Sequence, residues 1–231
     1  MEKFKITKVK NNIFKIEEML YKEHANLYLF ISDNFYLLVD SGTGFWNLKE
    51  KIYKTFGNNT ILLINTHGHY DHIGGNKQFS FSAIHENDLK SLTNPTKENT
   101  VSFKFSKSDM LTNNNESIKS LKSAPNMILH GGEKIAVGKF IFKILHTPGH
   151  SPGSISLYDE KNKTLVSGDM LYNGKLYYNL PKSDKFQYIE SLKSTKKMKV
   201  QTLLAGHNEI ILGEENIQKL MNKAIFELEE H

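Results

Sequence analysis

From Ile61 to His72 the chain runs Ile-Leu-Leu-Ile-Asn-Thr-His-Gly-His-Tyr-Asp-His, a short apolar run that feeds straight into four ligand-type side chains within six residues. Four consecutive β-prone apolar residues suit a buried strand. The fold must therefore bring one end of a buried sheet to whatever the polar cluster serves. In extended or turning backbone, residues two apart project to the same side, so His67 and His69 can share one centre. Asp71 and His72 lie beyond that pair, where the chain must turn, and can face a second centre. Gly68 removes bulk between the first two ligands, and Gly74-Gly75 lets the backbone bend into the next element. A lone histidine is ordinarily a satisfied core or surface residue; a cluster this dense is not explained that way.

The same punctuation recurs along the chain. Residues 25–31 and 35–39 are apolar and β-prone, split by Ser32-Asp33-Asn34, and Ser41-Gly42-Thr43-Gly44 precedes an amphipathic stretch at 45–56. Residues 81–84 suggest another strand. Residues 134–137 and 140–146 read as a hairpin through Gly138-Lys139, and 154–158 with 164–167 as a second one turning at 160–163. A helix is expected over 184–196, a short strand over 202–205, and a closing helix whose Ile217, Leu220, Met221, Ala224, Ile225 and Leu228 form one stripe. Three of the strand-like runs end in a glycine followed by a ligand-type residue: Gly149-His150, Gly168-Asp169 and Gly206-His207. Each half of the chain gives strands followed by helix, which predicts an α/β protein of two packed sheets with helices outside. Residues 1–231 read as a single domain. Segment 86–126, rich in Ser, Asn, Lys and Thr with Pro95 and Pro125, reads as an insertion of loops and short helices, either a lid or a surface excursion.

Composition narrows the chemistry. The net charge is +5, yet every one of the 30 basic residues is lysine. With asparagine also abundant, as at Asn58-Asn59 and Asn113-Asn114-Asn115, this reads as a bias of the whole sequence. Lysine also lacks the bidentate fork that favours phosphate recognition, so no nucleic-acid partner is expected. There is no cysteine, so any metal site must be built from histidine and carboxylate. No apolar run approaches the roughly 20 residues of a membrane span, and the charged N-terminus lacks the apolar stretch of a secretory signal. A cytoplasmic protein is expected; oligomeric state is not legible.

The pattern from His67-x-His69-x-Asp71-His72 through His150 and Asp169 to His207 resembles the metallo-β-lactamase superfamily over nearly the whole chain. The resemblance implies a four-layer αβ/βα sandwich with metals at the edge of the two sheets. It implies that His67, His69 and His150 bind a first metal, that Asp71, His72 and His207 bind a second, and that Asp169 bridges them. His146 matches the non-ligating first histidine of the His-Thr-Pro-Gly-His segment and is given a supporting or structural role. His24, His85, His130 and His231 match no ligand position and are expected to be ordinary. The intact Asp169 resembles the glyoxalase II branch; the dedicated antibiotic-destroying enzymes lack that carboxylate, and many use a cysteine. Flavo-diiron relatives carry glutamate where this chain has His69, which argues against iron redox chemistry. Segment 167–181, Ser-Gly-Asp-Met-Leu-Tyr-Asn-Gly-Lys-Leu-Tyr-Tyr-Asn-Leu-Pro, with Asn26 and Ala205-Gly206-His207-Asn208, resembles the metallo-β-lactamase-domain acyl-CoA thioesterases more closely.

Histidine and carboxylate donors without sulfur suit two zinc ions, with iron or manganese as substitutes. Two such ions about 3.5–4 Å apart would share a water, lower its pKa toward about 7 and present a hydroxide to a carbonyl carbon. Asp71 is the candidate for orienting that hydroxide and handling its proton. The expected substrate is a small-molecule thioester, acyl-CoA first. Alternatives are a glutathione thioester or a lactone, with weak β-lactam hydrolysis accompanying any of them and a nucleic-acid processing hydrolase more distant. Tyr70, Tyr172, Tyr177 and Tyr178 flank the ligand loops and could line an acyl channel or simply pack.

Overall fold

Alternation along the strands sorts side chains into layers. The computed structural model describes residues 3–19, 25–33, 35–101, 119 and 121–230. The first half forms strands β1 (Phe4–Lys10), β2 (Ile13–Glu18), β3 (Asn26–Ile31), β4 (Phe35–Val39), β5 (Thr60–Ile64), β6 (Phe81–His85) and β7 (Met127–Leu129). They make one sheet in that order, antiparallel from β1 to β4 and parallel from β4 to β7. Helix α1 (Leu48–Phe56) joins β4 to β5; its N-cap Asn47 accepts from the Glu50 backbone. Short helices α2 (Tyr70–Ile73), α3 (Leu89–Thr93) and α4 (Lys97–Thr100) follow β5 and β6.

The second half forms β8 (Lys134–Val137), β9 (Phe140–His146), β10 (Ile155–Asp159), β11 (Thr164–Gly168), α5 (Lys185–Lys196), β12 (Thr202–Ala205), β13 (Ile211–Leu212) and α6 (Glu214–Glu230). Its sheet has the order β13-β12-β11-β10-β9-β8, with β11 and β12 parallel and the other pairs antiparallel.

Between the sheets lies a core to which both contribute. Tyr28, Phe30, Leu37, Val39 and Ile64 come from the first, and Phe140, Phe142, Ile144, Leu157, Val166 and Leu204 from the second. The intervening residues face outward. Leu27, Leu29, Leu38 and Leu63 pack on Leu48 and Ile52 of α1, while Leu165 and Leu203 pack on Tyr188 and Leu192 of α5 and on Ile217 and Met221 of α6. Fully burying one such side chain stabilises by roughly 1.5–3 kcal/mol, which is why both faces of each sheet are covered. The result is the αβ/βα sandwich expected from the sequence.

Strand direction decides where the ligand residues arrive. Strands β9 and β11 are both antiparallel to β10, and β12 is parallel to β11, so all three run the same way. His150, Asp169 and His207 each follow one of these strands and therefore emerge at one edge. In the first sheet, β4 and β5 are parallel and deliver Asp40 and His67 together. The two edges are tied across the sandwich: Ile155 N donates to Thr66 O (2.8 Å), Asn26 N to Gly206 O (2.7 Å), and Tyr28 Oη to Ala205 O (2.8 Å).

Four strands were not anticipated. The hairpin β1–β2 turns at Asn11-Asn12, and β7 and β13 have three and two residues. Helix α1 also begins three residues later than the amphipathic stretch at 45–56 suggests.

Candidate metal centre

The strand β5 ends at Ile64, and the chain then passes through His67 and His69 into α2, whose single turn carries Asp71 and His72. The extended pair and the helical pair point into one pocket with His150, Asp169 and His207. Three overlapping groups have ligand atoms within 4.8 Å of one another: His67, His69 and His150; His67, His72 and Asp169; and Asp71, His72 and His207. All seven residues singled out in the sequence are thus brought together. Asp169 stands in the middle. Its Oδ1 faces His72 Nε2 at 3.3 Å, and its Oδ2 faces His150 Nε2 at 3.3 Å and His207 Nε2 at 3.2 Å. Tyr188 Oη donates to the Asp169 carbonyl (2.6 Å) and holds that loop from behind. The glycines before these residues serve in two ways. Gly149 (φ 134°) and Gly168 (φ 51°) take left-handed backbone, whereas a Cβ on Gly206 would stand 2.4 Å from Asp169 Oδ1.

Three histidines are aimed by their outer nitrogens. His72 Nδ1 donates to Asp40 Oδ2 (2.8 Å) and His150 Nδ1 to the Tyr177 carbonyl (2.9 Å). His67 Nδ1 lies 3.0 Å from Thr66 Oγ1, which itself donates to Asp40 Oδ2 (2.8 Å). In each case Nε2 is left facing the pocket, the arrangement that fixes tautomer and ring orientation in metal sites. His69 instead turns Nδ1 inward, 3.0 Å from His150 Nε2.

Electrostatics divide the pocket. Burial, together with neighbouring His72 and His69, holds His67 well below the usual histidine range, and burial likewise depresses His150. Burial also pushes His72 down, but Asp71, Asp169 and Asp40 overcome it and hold that ring well above the ordinary value. His207 follows the same rule: burial is outweighed by Asp169 and Asp71, and its pKa rises to about 9. Burial would raise Asp169, yet His207 and His72 hold it well below the usual carboxylate range.

The chemistry of these residues fits divalent cations. His67 Nε2, His72 Nε2 and Asp169 Oδ1 are fully buried and make no hydrogen bond of good geometry, His72 Nε2 and Asp169 Oδ1 standing 3.3 Å apart, a costly state for polar atoms unless something binds them. Each faces the pocket, and oxygen and imidazole nitrogen are the donors that such cations take.

Sequence reasoning missed two carboxylates. Asp40 (φ 63°) turns back from the end of β4 and accepts from Thr66 N, Thr66 Oγ1 and His72 Nδ1. It carries the strand-then-carboxylate signal used to find Asp169. Asp88, at the end of a 3-10 turn over Glu86–Asp88, is buried against both ligand loops. His146 lies outside the cluster; its Nε2 donates to the Pro152 carbonyl (2.9 Å) and its ring stacks on His85 at 4.0 Å. His130 pairs with Glu86 at the surface. His24, His231 and, within the 86–126 segment, residues 102–118 and 120 lie outside the described residues. The lid expectation therefore falls largely there.

Comparison with known proteins agrees with this geometry. The family description "Metallo-beta-lactamase superfamily" matches residues 20–207. "Acyl-coenzyme A thioesterase MBLAC2" of Homo sapiens is 29% identical over 219 residues, covering 85% of this chain and 78% of that protein. "Hydroxyacylglutathione hydrolase GloC" of Haemophilus influenzae is 27% identical over 179 residues, covering 74% and 78%. A metallo-beta-lactamase family protein from Thermus thermophilus superposes with a TM-score of 0.75 at 17% identity, covering 96% of this chain and 81% of that one. With the family matched over most of its length and its seven histidine and aspartate side chains gathered at the sheet edges, the chain belongs to the metallo-beta-lactamase superfamily and is a metal-dependent hydrolase.

Proposed function

We propose that His67, His69 and His150 hold one zinc ion, that Asp71, His72 and His207 hold a second with Asp169 between them, and that the protein hydrolyses an acyl thioester, acyl-CoA before others. The observation that carries the reading is the convergence of seven donors, three of them with buried atoms that make no well-formed hydrogen bond. The likeness to the human acyl-coenzyme A thioesterase supports the substrate class. Histidine and carboxylate without sulfur suit zinc, and iron or manganese are the substitutes. When bound, the ions would supply Lewis-acid polarisation of the thioester carbonyl, acidification of a water and a borderline-soft partner for the departing thiolate.

The chain's own part is orientation and proton handling. The Nδ1 bonds of His67, His72 and His150 fix their rings before any ion arrives, so little reorganisation is needed. Asp71 and His207 are the most open members, with side-chain exposures of 14% and 19%. The substrate accordingly approaches from their side. Asp71, on that side, would orient the attacking water and take its proton. The buried Tyr172 ring packs edge-on against His207 at 5.3 Å. On this reading one domain spans the chain, and Asp88, within the described part of the 86–126 segment, bonds the backbone beside the ligand loops. The composition suits a cytoplasmic setting.

The test has two parts. Elemental analysis of zinc-loaded protein should find about two metals per chain; a zinc-saturated preparation holding none rejects the site. A series from acetyl-CoA to palmitoyl-CoA should then show kcat/KM rising roughly fourfold per added carbon, the equivalent of about 0.8 kcal/mol per buried CH₂, until the channel ends. A flat series with brisk turnover of lactoylglutathione would favour the second reading, a glutathione thioester hydrolase, which the likeness to the Haemophilus influenzae protein supports.

A further inference from the structure

Asp88 is buried, 5% exposed, and belongs to none of the groups gathered at the candidate metal centre. Its carboxylate lies behind two loops that are distant in sequence. Oδ2 accepts from Gly68 N (2.8 Å) and from Ser151 Oγ (2.6 Å), and Oδ1 accepts from Gly153 N (2.9 Å). Gly68 is the residue between His67 and His69, and Ser151 directly follows His150. The three donors thus belong to the two backbone segments that carry His67, His69 and His150. The packing at these glycines is close: a Cβ on Gly153 would stand 2.6 Å from Asp88 Cγ, and one on Gly68 would stand 2.4 Å from Ser91 Oγ. None of these Asp88 bonds reaches the second group, where Asp40, which also reaches His67 through Thr66, bonds His72 and Tyr172 packs on His207.

We infer that Asp88 is a positioning residue dedicated to the His67/His69/His150 half of the centre, a carboxylate clamp that sets the separation of two ligand loops without touching an ion itself. This rests on the proposed zinc centre. The chemistry requires a carboxylate: three donors face the group, and only an ionised carboxylate offers acceptors alone on both oxygens. Asparagine has nearly the same shape but presents an amide N–H₂ on one side. Either Gly153 N–H or the Gly68 N–H and Ser151 pair would then face a donor.

The experiment is a zinc titration of the metal-free full-length protein in competition with a chromophoric chelator, which yields two stepwise constants. In the wild type, two constants are expected; no uptake there would overturn the zinc centre, and this inference with it, before any variant is compared. Asp88→Asn should weaken one constant by about 10–100-fold, the usual effect of disturbing a ligand's support, and leave the other within about threefold. In a His69→Ala background, where that half is already lost, adding Asp88→Asn should leave the remaining constant unchanged. Asp159→Asn serves as the control, since Asp159 is a buried carboxylate whose side chain bonds Asn162 at the β10–β11 turn, outside the candidate centre. It should lower Tm without separating the constants. Equal weakening of both constants by Asp88→Asn, no change in either, or a persistent effect in the His69→Ala background would overturn the assignment.

Discussion

The histidines of the two halves of the proposed metal centre treat protons in opposite ways. Around His67 and His150, burial dominates and both rings are depressed, so they are neutral donors near neutral pH. Around His72 and His207, burial acts in the same direction but loses to Asp71, Asp169 and, for His72, Asp40. The difference lies in where the carboxylates stand. Asp169 serves both halves, whereas Asp71 lies within 3.6 Å of His72 and His207 and Asp40 is bonded to His72. In the absence of metal, protons on the second half occupy the electrostatic place of a cation. His67 and His150 are preformed neutral donors, whereas His72 and His207 would have to exchange protons for any metal they bind.

The largest effect should come from removing the group the halves share. Asp169→Ala is expected to reduce the protein to one metal per chain or fewer. Turnover should fall by well over about 100-fold, beyond the range typical of a residue that only orients a ligand. Elemental analysis and kcat on the purified variant check this; two retained metals with near-normal turnover would show that the halves do not depend on a common carboxylate.

Next comes the proton difference itself. His72 and His207 hold protons at neutral pH because their pKa values are raised, and a metal needs the deprotonated rings. Raising the pH removes the competing proton, so affinity for the second ion should climb about tenfold per pH unit for each proton displaced, and level off only near the value of about 9 for His207. Affinity for the first ion should be nearly flat from neutral pH upward. Calorimetric titration in buffers of different ionisation enthalpy counts the released protons, and equal slopes for the two ions would erase the distinction.

The smallest effect is expected from a histidine that belongs to neither half. His146→Ala removes one exposed hydrogen bond to Pro152 and the stack on His85. Stability should drop by about 1 kcal/mol, read as a modest fall in Tm, while kcat/KM stays within about threefold. Metal loss comparable to that of Asp169→Ala would place His146 inside the centre after all.

How much of this could be read without coordinates follows from what is local. The strand runs, the turn glycines, the helix stripe of Ile217, Met221, Ala224 and Leu228, and the seven ligand-type residues are properties of short windows, and the sequence alone determined them. The edge hairpin β1–β2 was also local, since Phe4, Ile6 and Val9 are interspersed with lysine and Asn12 takes φ 67° in the turn. It was overlooked because a lysine-rich edge strand resembles a charged tail, which is how edge strands discourage further pairing. What only the tertiary structure decided is which groups share an environment. Asp40 reaches His72 across 32 positions of sequence and Asp88 reaches Ser151 across 63, and no periodicity encodes such pairs. The proton states follow for the same reason. Burial and Coulomb interactions depend on distance in space, so of two identical imidazoles one stays neutral and the other holds a proton only once strand direction and sheet packing have set the carboxylates beside one and away from the other.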